Sequence, residues 1–190
     1  MKRSLGAKTL IYPTPTWIIG SYDQQGRPNA MTIAWGGICC SDPPCLAVSL
    51  RKGTYSHDGL VERKAFTVSV PSQSQVKVAD YLGLVSGRET NKFAATGLTP
   101  VRSDLVDAPY VQECPLVLEC KVLHVFDLGL HAQFVGQIVD VKADEAVLDA
   151  SGMPDILKIL PIIFSPGDRG YYGIGASCTG PTTFAVGKEI

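Results

Sequence analysis

Apolar and polar positions alternate with a period of two along much of this chain, and the alternation breaks at turn-forming residues. Residues 16–22 (TWIIGSY) predict a strand that stops at the turn DQQG, with residues 31–39 as its hairpin partner. Residues 46–50 (LAVSL) come after SDPP and predict another strand, as do residues 65–70 (AFTVSV), which end at Pro71. Residues 115–126 and 131–142 alternate over most of their length and flank DLGL, a second hairpin. Helical periodicity is scarcer. Residues 56–63 open on Ser56, a good N-cap, with Asp58 in the first turn. Residues 73–84 set Val76, Ala79, Tyr81 and Leu82 roughly on one side, and short helices are expected at 89–95, ahead of Gly97, and at 156–160, stopped by Pro161. Many antiparallel strands with helices in the connections predict a mainly β fold, a barrel or sandwich with appended helices.

Length and composition sharpen this. A chain of 190 residues, 45% hydrophobic and 18% charged, predicts one folded domain spanning 1–190 with a buried core. The formal net charge is -1 and no basic run occurs, so no nucleic acid or membrane partner is expected, and phosphate recognition has to come from local geometry. No apolar stretch is long enough to cross a bilayer. The first residues carry no apolar core of a signal peptide, and Pro13 and Pro15 interrupt the segment after Lys8, so a cytoplasmic protein is expected. The six cysteines (Cys39, Cys40, Cys45, Cys114, Cys120, Cys178) are then expected as thiols, with Cys39 and Cys40 as small apolar residues at a strand end rather than a strained vicinal disulfide. Neither their spacing nor His57, His124 and His131 completes a metal pattern, and His124 reads as structural. Gly173-x-Gly175 lacks the third glycine and the ensuing helix of a dinucleotide fingerprint.

The richest stretch is 29–56. A hydroxyl- and glycine-rich strand carries Trp35, a Pro-Pro turn comes next, and a second strand ends in Arg51-Lys52 with Thr54 and Ser56 close behind. Hydroxyls and N–H groups at a helix start, beside a guanidinium, suit a phosphate; an apolar strand edge suits a flat ring. This points to a flavin mononucleotide site. Spacing alone leaves the ordinary alternatives open: a helix cap with solvated basic neighbours, a core or interface Trp35, an exposed helical Lys92, a surface His131 and a core Phe164.

The run NAMTIAWGGICCSDPPCLAVSLRKGTYSHDGL resembles the flavin reductase-like, FMN-binding split-barrel family, and within it the flavoredoxin-like branch. KRSLGAKTLIYPTPTWIIGSYD, FTVSVPS, SGRETNKF and DAPYVQECPLVLEC extend the resemblance over nearly the whole chain. It implies an FMN-binding split β-barrel that forms a homodimer, with one non-covalent FMN per subunit near the interface. It implies ring contacts from Asn29, Met31, Thr32, Ala34 and Trp35 and from Ser49, Leu50 and Arg51, and a phosphate held by Thr54, Ser56 and a basic side chain. Lys92, His131 and Phe164 match further flavin-contact positions. Ser56 stands where many relatives carry Thr, and either hydroxyl can donate. The flavin carries the chemistry, so no catalytic side chain is expected. The implied function is electron transfer through FMN to a redox protein partner. An NAD(P)H-dependent flavin reductase, and a flavin- or haem-binding sensor on the same barrel, remain alternatives; the lack of a separate nicotinamide fingerprint favours the carrier.

Overall fold

Hairpin geometry dominates the molecule because its β-rich segments are joined mostly by short polar turns. The computed structural model describes residues 1–177. In chain order the strands and helices are β1 (Thr14–Pro15), β2 (Trp17–Tyr22), β3 (Pro28–Ile33), β4 (Gly36–Ser41), β5 (Pro44–Arg51), α1 (Tyr55–Arg63), β6 (Ala65–Val70) and α2 (Val76–Leu84). They continue with α3 (Lys92–Thr96), β7 (Pro100–Arg102), β8 (Pro109–Val111), β9 (Leu116–Leu128), β10 (His131–Ala143), α4 (Ile156–Ile159), β11 (Ile163–Ser165) and β12 (Gly170–Tyr172).

Seven antiparallel strands form the main sheet in the order β3-β2-β6-β9-β10-β5-β4. Its inner face buries Ile19, Leu46, Val48, Leu50, Phe66, Val68 and Phe134 completely or nearly so. Each of these removes enough apolar surface to contribute about 1.5–3 kcal/mol. The two outermost strands, β3 and β4, are consecutive in the chain, and residues 34–35 connect them across the open side of the sheet. There the Trp35 carbonyl accepts the Ser49 N–H at 2.8 Å. The fold is a split barrel, and that crossing is its seam. A second core, built on Ile18, Ala30, Leu82, Phe93, Val111 and Cys114, seats α2 and α3 against the outside of β2 and β3. A small sheet in the order β1-β11-β12 lies near the seam, and β7 and β8 form a two-stranded sheet of their own.

Several boundaries differ from those the pattern predicts. The partner of β2 is β3, starting at Pro28; the apolar run through residue 39 is broken at 34–35, and its second half pairs with β5 instead. Ser56 does not cap α1. Thr54 holds the N-cap position, and Ser56 lies buried inside the first turn because its hydroxyl is used by Asn29. The stretch 73–84 is a 3-10 turn over Gln73–Gln75 and then α2, since a capping box between Ser72 and Gln75 closes the first turn separately. The helix expected at 89–95 is α3, started by the Asn91 carboxamide accepting the Ala94 N–H at 3.1 Å and ended by Gly97 at φ 71°. α4 stops one residue short of 160, where Leu160 turns left-handed. Cys39 and Cys40 are exposed on β4 rather than packed, and His124 is exposed on the outer half of β9, where its ring lies 5.9 Å from Phe126. The five described cysteines are free thiols; Cys178 lies outside the described residues.

Candidate functional site

The seam opens into a cleft of about 590 Å³. Met31 and Thr32 reach it from β3, Ala34 and Trp35 from the crossing, and Ser49, Leu50 and Arg51 from the end of β5. Thr54, His131 and Phe164 line it too, as do Thr9, Ile33 and Gly83, so segments far apart in sequence meet on one surface. His131 and Arg51 are direct cross-strand partners. Burial first, and then the Arg51 charge, lower the His131 pKa below its ordinary value and so favour the neutral imidazole. Phe164 lies 5.5 Å from the Tyr171 ring, and its carbonyl accepts the Thr14 hydroxyl at 2.9 Å.

A narrower pocket of about 210 Å³ shares Met31, Thr54 and Gly83 with this cleft and runs on to Ser56, Lys92, the end of α2 and residues 85–88 after it. The Thr54 hydroxyl donates back to the Arg51 carbonyl at 2.8 Å instead of capping the helix. The first N–H groups of α1 are therefore left without a side-chain cap, at a helix end that favours negative charge. Asn29 does not line either space. It is buried behind them, and its Nδ2 donates to Ser56 Oγ at 2.7 Å, which leaves the Ser56 proton free to point elsewhere. Lys92 is only 5% exposed, and its Nζ donates to the Leu82 carbonyl at 2.7 Å. Burial pulls its pKa down to about 8.

Arg88 also belongs to this pocket, beyond the residues that the sequence singles out. Its Nη1 donates to the Gly53 carbonyl at 2.8 Å, and its guanidinium lies 5.8 Å from the Tyr55 ring centre. The sequence signal for it is its place in RETNKF, four residues before Lys92. Tyr55 is itself anchored: its hydroxyl donates to Asp23 Oδ2 at 2.6 Å. Burial alone would raise the Asp23 pKa, but bonds from Tyr55, Arg27 and Gln25 outweigh it and hold the carboxyl at about 2.

One end of the cleft thus offers apolar and aromatic walls, and the other offers cations, hydroxyls and a helix N-terminus. A flat ring with an anionic tail matches this distribution. The comparison with known proteins agrees. Residues 9–171 match the model of the flavin reductase like domain.

The chain belongs to the flavin reductase-like family.

Among solved structures, the flavoredoxin of Desulfovibrio vulgaris (Miyazaki F) superposes with a TM-score of 0.92 at 51% identity, covering 98% of this chain and 100% of that one. Flavoredoxin from Methanosarcina acetivorans gives a TM-score of 0.90 at 30% identity, covering 99% of both chains. An uncharacterized protein of Archaeoglobus fulgidus is 35% identical over 77% of this chain and 80% of its own. This flavin reductase-like protein is close to the flavoredoxins, and its function is that of a flavin-binding redox protein. Among the described residues, no helix is long and apolar enough to cross a membrane.

Proposed function

We propose that this protein binds FMN non-covalently in the seam cleft and carries electrons through it between redox partners in the cytoplasm. The observation that carries the reading is the uncapped start of α1, set in a pocket with Lys92 and Arg88 and joined to an aromatic-walled cleft. Such a helix end, with two cations and the free hydroxyl proton of Ser56, fits a phosphate. The cleft volume and its Trp35, Met31 and Phe164 walls fit a tricyclic ring. FMN supplies hydride and single-electron chemistry when bound.

The chain's own groups have distinct tasks. Ser56 and Thr54 place hydroxyls at the anion end. Lys92 offers a buried ammonium whose charge an adjacent anion would stabilise. Arg51 keeps a positive field beside the ring's polar edge, and neutral His131 can donate or accept there. Trp35 and Phe164 exclude water from the ring faces. The Asn29 to Ser56 bond ties β3 to α1 and so fixes the ring and tail subsites relative to one another.

A second copy of the chain is the proposed partner. Phe126, Leu128 and Leu130 are at least half exposed at the end of the β9–β10 hairpin, and Leu128 is the cross-strand neighbour of His131. A copy docked there would border the cleft. The test of the cofactor is the visible spectrum of the purified protein with its chromophore released. Flavin bands and FMN on release are expected; a colourless protein that also fails to take up added FMN overturns the assignment. Anaerobic mixing with NADH and NADPH then separates the carrier from a reductase, because rapid bleaching of the bound flavin sinks the pure carrier.

A further inference from the structure

A cavity of about 360 Å³ opens beside the seam cleft, and the two share a wall at Thr32, Ile33, Ala34, Gly83 and Phe164. Its other side is formed by Tyr171, Asp80 and Arg169. The polar groups around it are unequally committed. The Thr32 hydroxyl donates to the Ala79 carbonyl at 2.5 Å, so only its methyl group is available. The Tyr171 hydroxyl donates to Asp80 Oδ1 at 3.0 Å, and burial together with this bond pushes its pKa up to about 12, so it stays a donor to Asp80. Asp168, next to Arg169 in the chain, is engaged by the Tyr172 hydroxyl and the Gly170 N–H.

Arg169 is different. Among the described residues no hydrogen bond or ion pair engages its guanidinium. It occupies the turn between β11 and β12 in the left-handed region, at φ 58°, exposed at the rim of the cavity. The cavity therefore presents two adjacent aromatic rings, one uncommitted planar cation, one partly satisfied carboxylate and the buried hydroxyl of Thr16, unpartnered among the described residues.

We propose that this cavity binds a small planar aromatic carboxylate, with its ring against Phe164 and Tyr171 and its carboxylate on the Arg169 guanidinium. An aromatic pair recognises a third ring by offset or edge contact, and the guanidinium fork matches a carboxylate in two parallel hydrogen bonds. The volume suits one such molecule. Asp80 sets the opposing term, since its carboxylate repels the same anion. Asp80, Arg169 and Tyr171 are not part of the seam cleft, so the proposal does not depend on the flavin reading, although Phe164 borders both spaces.

The test is a titration of the protein, as purified, with benzoate and with its neutral isostere benzamide, read by ligand-observed saturation-transfer NMR. Arg169→Gln, Arg169→Lys and Asp80→Asn are run alongside, each checked for wild-type circular dichroism. Benzoate should bind saturably, about tenfold more weakly in Arg169→Gln, in between in Arg169→Lys, and severalfold more tightly in Asp80→Asn. Benzamide should not respond to Arg169→Gln. Absence of saturable benzoate binding, or equal binding in wild type and Arg169→Gln, overturns the proposal. Failure of the protein to hold FMN overturns only the cofactor assignment and leaves this readout intact.

Discussion

Thr54 and Ser56 lie two residues apart and do different work in the structure. Thr54 turns its hydroxyl back to Arg51, while Ser56 accepts from Asn29 and keeps its proton. Both face the same pocket. Replacing both by Ala should weaken FMN by about tenfold, because one or two hydrogen bonds to a charged group are lost. Riboflavin has no phosphate and should lose much less; an equal loss for both ligands, read by fluorescence titration, would contradict the placement of the anion. Lys92 makes a second residue-scale case. Its folded pKa of about 8 lies below the ordinary value of 10.5, so the unfolded chain binds more protons between those two pH values. Stability therefore rises with pH through that window, and the burial penalty is present in full below pH 8. Lys92→Met should stabilise the flavin-free protein by about 1–3 kcal/mol at pH 7, and the gain should shrink as the pH approaches 10.5. The same variant should bind FMN more weakly. Thermal melts across pH, with and without FMN, read both effects.

At the scale of elements, the barrel depends on tight packing within its main sheet where a side chain is absent. Gly136 sits at a bulge between β10 and β9, and a Cβ there would come within 2.5 Å of the Phe66 ring and 3.1 Å of Cys120 Cβ. Phe66 is fully buried and has no room to retreat. Gly136→Ala should therefore cost about 1–3 kcal/mol by urea unfolding, through overpacking rather than lost contacts. A cost near zero would show that β10 can shift outward at its bulge. The site is remote from this contact, so FMN content in the folded fraction should be unchanged.

For the whole molecule, the apolar band at the end of the β9–β10 hairpin is the feature a lone protomer leaves unexplained. Phe126 is 50% exposed and Leu128 59% exposed. Clusters of this kind mark interfaces. Wild type should sediment as a dimer, and Phe126→Glu with Leu128→Glu should sediment as a monomer with reduced FMN affinity, since Leu128 neighbours His131. A monomeric wild type, or a variant that still dimerises, would place the interface elsewhere.

The sequence determined the local elements and pointed to a flavin. Period-two alternation and turn residues locate β2, β5, β6 and the β9–β10 hairpin, because strand faces and tight turns are decided by neighbours in the chain. The run from Asn29 to Ser56 supplies hydroxyls, a cation and an aromatic ring within one short stretch, which is enough to point to a ring with a phosphate tail. Tertiary structure alone decided the rest. The break at residues 34–35 has no local signal; it arises because β3 and β4 occupy opposite ends of one curled sheet and the chain must cross between them. The short strands β1, β11 and β12 owe their form to pairing over long sequence separation, which local pattern does not encode. Asn29 behind the site, the buried ammonium of Lys92, and the meeting of Arg88 with Tyr55 are likewise products of packing, since burial and contact depend on what the whole fold brings alongside.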